Sequence, residues 1–251
     1  MAGLATQGRS EMTTRLANIC FDANNPVRLA RFWASALGWE IYHETHDEVG
    51  VLPSDGTRFI LVFLPVPEPK TTKNPIHLDL VSESAEHQRE IVDRLIELGA
   101  QRVDVGQGSD ADHVVLADPE GNEFCVVLRG EFLADTGFMG AVVFEPAHPA
   151  TGHFWGEAIG WPVVYDQDGD VAIRAPDGRG PFITFGPPGV AKSGKNRLHL
   201  DLAPHANDDQ ATEVDRLIAL GASRIDIGQG DVPWVVLADP DGNEFCVLSP
   251  Q

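Results

Sequence analysis

The segment "VVLADPEGNEFCV" (Val114–Val126) recurs almost unchanged as "VVLADPDGNEFCV" (Val235–Val247), with twelve of thirteen positions identical. In each copy, apolar residues lie on both sides of Asp-Pro-x-Gly-Asn, a sequence typical of a tight turn. Each segment therefore predicts two short strands joined by that turn. Because an internal repeat determines the fold of the whole chain, the extent of the repeat is the first question.

The repeat extends through most of the 251 residues. "HLDL" begins at His77 and again at His199, and "FWASALGW" from Phe32 returns as "FWGEAIGW" from Phe154, each shifted by 122 residues. A period this long predicts tandem domains, because one domain commonly has about 100–150 residues. The expected organisation is a disordered leader over 1–13, a first domain over 14–130, a linker over 131–136 and a second domain over 137–251.

The composition limits the partners of the chain. Lys and Arg number 18 against 38 Asp and Glu, a formal net charge of −20. This charge repels nucleic acid and anionic membranes and attracts cationic ligands. No apolar run approaches the length of about 18 residues needed to span a membrane. Three cysteines without a CxxC pattern argue against a disulfide scaffold and against structural zinc, so we expect a cytoplasmic protein.

One pattern of elements repeats within each copy. "RLANICFDA" from Arg15 alternates polar and apolar residues, which predicts a strand. A helix should follow, with Asn25 as its N-cap, Pro26 at its first position and Gly38 at its end. Three strands come next, and then a second strand–helix–three-strand series begins at "IHLDLV". The chain therefore contains four βαβββ modules, and the two "GQG" triplets read as turns.

These motifs resemble the vicinal oxygen chelate superfamily, which includes glyoxalase and the bleomycin resistance protein. The resemblance rests on the Asp-Pro-x-Gly-Asn turn before the last strand, the "HLDL" strand and the "FWASALGW" helix end, and it covers both copies. It implies an α+β fold in which two βαβββ modules curl into a cup, with helices outside and the site inside. Four modules then form two glyoxalase-like cups in tandem. We expect each copy to form its own cup, although pairing of modules across copies is an alternative.

Strand alternation predicts which residues face the cup. Ile19, Phe21, Leu78, Leu80, Phe124 and Val126 are apolar and should lie under helices. Residues of opposite parity, including Cys20, should face an open, wet cavity. From that face, its counterpart in the second copy and Trp39, we predict these ligand-binding residues: Asn18, Asp22, Trp39, His77, Asp79, Glu123, Cys125, His199, Asp201, Glu244 and Cys246. Asn18 and Asp22 should lie opposite the set around His77, and the N-terminal cup should be the better binding site.

Family enzymes hold a divalent ion on the first and last strands of each module, usually through His or Gln and Glu. In the first copy those positions correspond to Asn18, Val62 or Phe63, His77 and Cys125. In the second copy they correspond to Ala141, Thr184 or Phe185, His199 and Cys246. A catalytic ion needs about three suitable ligands, so we expect no metal and no other cofactor.

Three functions are compatible with these features. The leading hypothesis is a metal-free protein that binds a small molecule, for example to sequester a drug or natural product that is cationic or polycyclic. The alternatives are a glyoxalase-like enzyme (a lyase, isomerase, cyclase or dehydratase) using His77 and Asp79 as acid and base, or a scaffold without ligand. The chain should be a monomer with an internal pseudo-dimer, or a homodimer. The lysines of "KTTKN" (Lys70–Asn74) and "KSGKN" (Lys192–Asn196) read as solvated loops, or else grip an anionic ligand group.

Overall fold

A computed structural model describes residues 14–108, 110–145, 147–187, 192 and 194–251; the predicted leader over 1–13 lies outside these residues. The first copy contains module 1, with β1 (Thr14–Ala23), α1 (Pro26–Leu37), β2 (Glu40–Glu44), β3 (Val49–Leu52) and β4 (Ile60–Pro65). Module 2 follows, with β5 (Ile76–Ser82), α2 (Ala85–Glu97), β6 (Gln101–Arg102), β7 (Val114–Ala117) and β8 (Glu123–Leu128). A short 3-10 helix (Glu131–Leu133) leads to the second copy.

The second copy repeats the same order of elements. Module 3 has β9 (Met139–Phe144), α3 (Pro149–Ile159), β10 (Val163–Gln167), β11 (Asp170–Ile173) and β12 (Phe182–Phe185). Module 4 has β13 (Leu198–Pro204), α4 (Gln210–Leu220), β14 (Ser223–Arg224), β15 (Val235–Ala238) and β16 (Glu244–Val247). The α+β class and the four βαβββ modules are confirmed. No helix among the described residues is long and apolar enough to cross a membrane.

The modules pair across the two copies. One eight-stranded sheet has the order β14-β15-β16-β13-β1-β4-β3-β2, and the other has the order β10-β11-β12-β9-β5-β8-β7-β6. We call the sheet of modules 1 and 4 the first cup and the sheet of modules 2 and 3 the second cup. The expectation that each copy forms its own cup is therefore wrong, and the cross-copy alternative is correct.

The short connection between the copies explains this pairing. β8 and β9 both flank β5, so they lie two strand spacings apart, about 10 Å. The ten residues from 129 to 138 span that distance easily and deliver β9 to the open edge of module 2. Module 4 is then left to pair with module 1, whose β1 is still unpartnered on one side.

Each helix packs its apolar stripe against the outer face of a sheet, as the strand parity predicts. Ile19, Leu78, Leu80 and Phe124 are at most 1% exposed and belong to the main hydrophobic core. α1 begins and ends where predicted, since the Asn25 side chain accepts a hydrogen bond from the backbone N–H of Arg28 at 3.0 Å. Gly38 ends the helix at φ 71°, the left-handed region that favours glycine.

The repeated Asp-Pro-x-Gly-Asn turns connect the two cups. Trp33 of module 1 donates its indole N–H to the Asp118 carboxylate of module 2 at 3.1 Å. Trp155 of module 3 does the same to Asp239 of module 4, also at 3.1 Å. Burial raises the pKa of Asp118 to about 6, although hydrogen bonds from Asn122 and other donors oppose the rise. The two segments are nearly identical because each copy uses its own segment once, to form this buried tryptophan–aspartate hydrogen bond between the cups. We call this contact the anchor.

The single substitution between the two segments preserves their contacts. Glu120 accepts hydrogen bonds from the backbone N–H groups of Asn24 and Asn25, both at 2.9 Å. Asp241, its counterpart, accepts from the backbone N–H of His148 at 2.8 Å. Both carboxylates therefore meet the start of a helix in the preceding module, where negative charge is favourable.

Candidate ligand-binding site

The inner face of the first cup is lined by polar groups that satisfy one another. β1 and β13 are antiparallel, with Asn18 opposite Asp201 and Cys20 opposite His199. The Asp201 carboxylate accepts from the Asn18 amide at 3.0 Å and from the Cys20 thiol at 3.1 Å. Burial, followed by the nearby Asp201 charge, raises the pKa of Cys20 well above its usual value, so the thiol stays protonated. Cys246 lies beside Asp201 on β16.

His199 lies next to Asp201 without a hydrogen bond of ordinary length. Its Nε2 lies 3.5 Å from Asp201 Oδ1, longer than an ordinary hydrogen bond, and Oδ1 has no hydrogen-bond partner among the described residues. Burial acts to raise the pKa of Asp201. The interactions with His199, Asn18 and Cys20 outweigh it and hold that pKa below its usual value.

Lysines from the loop before β13 bind carboxylates of the first cup. Lys195 forms an ion pair with Asp22, whose side chain is buried. Lys192 binds Glu244 at 2.6 Å, and the same carboxylate accepts from the backbone N–H of Asn196 at 3.3 Å. These lysines are structural partners of buried carboxylates. The interpretation of Lys192–Asn196 as a purely solvated loop therefore does not fit the structure.

The second cup contains an open cavity of about 400 Å³. That volume falls in the range of roughly 300–1,000 Å³ typical of small-molecule sites. The cavity lies between β5, β8 and β9 and is bounded by the loop that follows β6. Its polar lining consists of Lys73, His77, Asp79, Gln107, His113, Glu123, Cys125 and Glu145. Its apolar wall consists of Val105, Val115, Val127 and Val143, together with Gly106.

His77, Asp79 and Cys125 form the floor of this cavity. His77 Nε2 lies 3.4 Å from Asp79 Oδ1, and that oxygen has no hydrogen-bond partner among the described residues. Burial, followed by the Asp79 charge, raises the pKa of Cys125 far above its usual value. Cys125 is therefore a protonated thiol, not an activated nucleophile. Glu123 already binds Lys70 at 2.7 Å and accepts from the backbone N–H of Asn74 at 3.2 Å.

The predicted site residues are divided between the two cups. His77, Asp79, Glu123 and Cys125 come together in the second cup. The rest of the predicted set, apart from Trp39, belongs to the first cup: Asn18, Asp22, His199, Asp201, Glu244 and Cys246. The placement of Asn18 and Asp22 opposite His77 is therefore wrong, because β1 pairs with β13 and not with β5. The prediction that the N-terminal copy holds the better cup rests on the same wrong pairing.

Trp39 lies in the hydrophobic core, outside the cavity lining. It is 5% exposed, and its indole N–H donates to the Asp55 carboxylate at 3.2 Å. Sequence reasoning also missed cavity residues: Val143 lies on β9 of the other copy, Glu145 directly follows that strand, and Gln107 comes from a "GQG" turn. Strand alternation would have placed Val143 on the inner face, but only knowledge of the cross-copy pairing assigns it to this cavity.

The donor set does not fit the divalent site of family enzymes. Cross-copy pairing brings Asn18 and Val62 together with His199 and Cys246, and it groups Ala141 and Thr184 with His77 and Cys125. Val62 and Ala141 offer no donor atom. Among the residues that the structure describes, two other groups have ligand atoms within 4.8 Å of one another: Cys20 with His199 and Asp201, and Cys125 with His77 and Asp79. Sequence reasoning did not count those aspartates as ligands, and in both groups a metal would have to displace the proton of a thiol whose pKa is raised.

Comparisons with known proteins agree with this architecture. The family model described as "Glyoxalase-like domain" matches residues 18–127 and 141–248. Glyoxalase I from Zea mays is similar in structure, with a TM-score of 0.61, 13% identity and coverage of 94% of this chain and 92% of that chain. A Bacillus subtilis protein named as a proposed dioxygenase has a TM-score of 0.62, 15% identity and coverage of 94% and 85%. At these identities the structural likeness shows the fold alone, and no protein with a curated description matches the sequence.

Proposed function

Because the chain belongs to the family of glyoxalase-like domains, we propose that it is a metal-free small-molecule binding protein whose site is the second-cup cavity. The observation that carries the proposal is an open cavity of about 400 Å³ with a buried Asp79 oxygen that has no hydrogen-bond partner among the described residues. A buried acceptor without a donor is unfavourable, so a ligand that donates to it gains affinity.

The lining favours an organic cation with an apolar body. Asp79 and Glu145 contribute carboxylates, whereas the four valines contribute an apolar wall. The net charge of −20 raises the local concentration of cations around the chain. The protein would sequester a natural product or drug of this kind without converting it, because neither Cys125 nor Glu123 is available to react. Cys125 is protonated, and Glu123 is bound to Lys70.

The wider setting follows from the same features. Free, buried thiols suit a reducing cytoplasm, and the negative charge disfavours nucleic-acid and anionic membrane partners. Since one chain already supplies all four modules of two cups, a monomer is sufficient for the proposed site.

One observation favours a glyoxalase-like enzyme as a second candidate. His77 and Asp79 lie 3.4 Å apart on the floor of the same cavity, a separation compatible with an acid–base pair acting on a bound molecule. In this alternative, His77 moves the proton and Asp79 orients the imidazole. Turnover of a bound compound distinguishes this candidate from simple binding.

The test is a thermal-shift screen of organic cations on the full chain, followed by calorimetry and metal analysis. Val143→Trp fills the cavity from β9, and Val164→Trp adds the same ring at a half-exposed position of β10, outside the cavity lining. We expect Val143→Trp to abolish binding and Val164→Trp to preserve it. Equal binding by both variants refutes the proposed site, a stoichiometric metal refutes the metal-free proposal, and conversion of the bound compound favours the enzyme.

A further inference from the structure

Corresponding charged residues are paired in the first cup and open in the second. Lys195 ends "KSGK" and forms an ion pair with Asp22, which lies four residues after Asn18 on β1. In the second cup, the corresponding positions hold Lys73, which ends "KTTK", and Glu145, which lies four residues after Ala141. Both line the cavity, and neither side chain forms a hydrogen bond or ion pair with another residue in the described part of the chain.

The contact in the first cup shows that the two positions can reach each other across a cup. A ligand group lying between Lys73 and Glu145 is therefore within reach of both side chains. Both residues are exposed at the cavity mouth, whereas Asp79 lies deeper beside His77. The mouth thus offers one cation and one carboxylate, and the floor offers a second carboxylate.

Other charges of the cavity are already neutralised. Glu123 binds Lys70 at 2.7 Å, so it offers little to a ligand. With both cavity histidines, His77 and His113, counted as uncharged, the charges that remain are Lys73, Glu145 and Asp79, which sum to −1. A ligand of net charge +1, with two cations and one anion, would balance them.

We infer that the second cup selects a compact molecule with an adjacent ammonium and carboxylate at one end and a second cationic group at the other, as in a basic α-amino acid. This inference rests on the proposed function of the same cavity and names the class of its ligand. Lys73 binds the carboxylate, Glu145 binds the ammonium, and Asp79 accepts from the distal cation at the cavity floor. Such charge-assisted hydrogen bonds are stronger than neutral ones and discriminate by geometry.

The experiment compares three probes on the full chain by calorimetry and by NMR. The probes are L-arginine, agmatine, which lacks the carboxylate, and 5-guanidinopentanoate, which lacks the α-ammonium. We expect L-arginine to bind about tenfold more tightly than either analogue, because each lost group removes one hydrogen bond between charged partners.

Variants assign each preference to one side chain. Lys73→Met should abolish the preference for L-arginine over agmatine, and Glu145→Gln should abolish the preference for L-arginine over 5-guanidinopentanoate. Lys195→Met, the matched change in the first cup, should leave both preferences intact. Thermal denaturation of each variant shows whether it is folded, and since Lys73 and Glu145 are exposed, their variants should keep the native melting temperature.

The outcomes separate this inference from the proposed function. If the analogues bind as tightly as L-arginine, or if the preferences survive in Lys73→Met and Glu145→Gln, the inference is refuted. If none of the three probes binds while organic cations from the screen still occupy the cavity, the inference fails and the proposed function stands. If no compound binds at the cavity, both fail.

Discussion

Separating the two copies should leave neither as a folded monomer. Residues 14–130 alone retain modules 1 and 2, which belong to different sheets, and lose the neighbours of both central strands. β1 pairs with β13 of the other copy over seven residue pairs, and β5 pairs with β9 over five. Each isolated copy would therefore expose one long edge on each of two half-sheets, a configuration prone to association.

The size of the loss follows from those pairs. An antiparallel ladder makes about one hydrogen bond per residue pair, and each contributes roughly 0.5–1.5 kcal/mol net. The seven and five pairs together correspond to about 6–18 kcal/mol. Domains are typically stable by only about 5–15 kcal/mol, so an isolated copy should have no folded monomeric state.

Light scattering and circular dichroism can measure this directly. Residues 14–130 and 137–251 are expressed separately and compared with the full chain carrying a protease site between Glu131 and Thr136. We expect each half to aggregate, dimerise or remain unfolded, and mixing the halves to restore a one-to-one complex. The full chain should remain assembled after cleavage. A monomeric half with cooperative unfolding would refute the cross-copy sheets.

Three further predictions concern stability and reactivity. Trp33→Phe and Trp155→Phe should each cost about 1.5–3 kcal/mol in urea denaturation, because each removes a hydrogen bond to a buried carboxylate; a cost near zero would contradict the anchor. Because burial raises the pKa of Asp118 to about 6, the folded chain keeps this proton where the unfolded chain loses it, and the free energy of unfolding should fall by about 2 kcal/mol as the pH rises from 4 to 6. Asp118→Asn should remove that slope, which measurement of unfolding between pH 4 and 7 would show. Cys20 and Cys125 should react with an aromatic disulfide more than about tenfold more slowly in the native than in the unfolded chain, because burial raises both pKa values; equal rates would exclude buried thiols.

Local structure could be predicted from the sequence because its causes are local. The cap at Asn25 and the stop at Gly38 depend on residues within a few positions. The alternation of His77 with Leu78 determines which face of β5 is wet, and the structure places Leu78 in the core and His77 in the cavity. These features need no knowledge of which strand lies next to which.

The composition of the site could not be predicted because it depends on pairing. The two copies are so alike that module 2 offers the same type of edge to modules 1 and 3, and the strand alternation is identical in both cases. The choice between them moved Val143 and Glu145 into the cavity and Asn18 out of it. Trp39 was misplaced for a different reason, since a tryptophan at the start of a strand can pack inward or line a cavity equally well.

The central claim is that one ligand site is built from both copies in the second cup. The most direct measurement is an NMR titration of the methyl-labelled full chain with the tightest organic cation from the screen. We predict that Val127 of the first copy and Val143 of the second shift together with a single dissociation constant, while Val62 on β4 of the first cup does not move. Shifts at Val62, or shifts at Val127 without Val143, would contradict the claim.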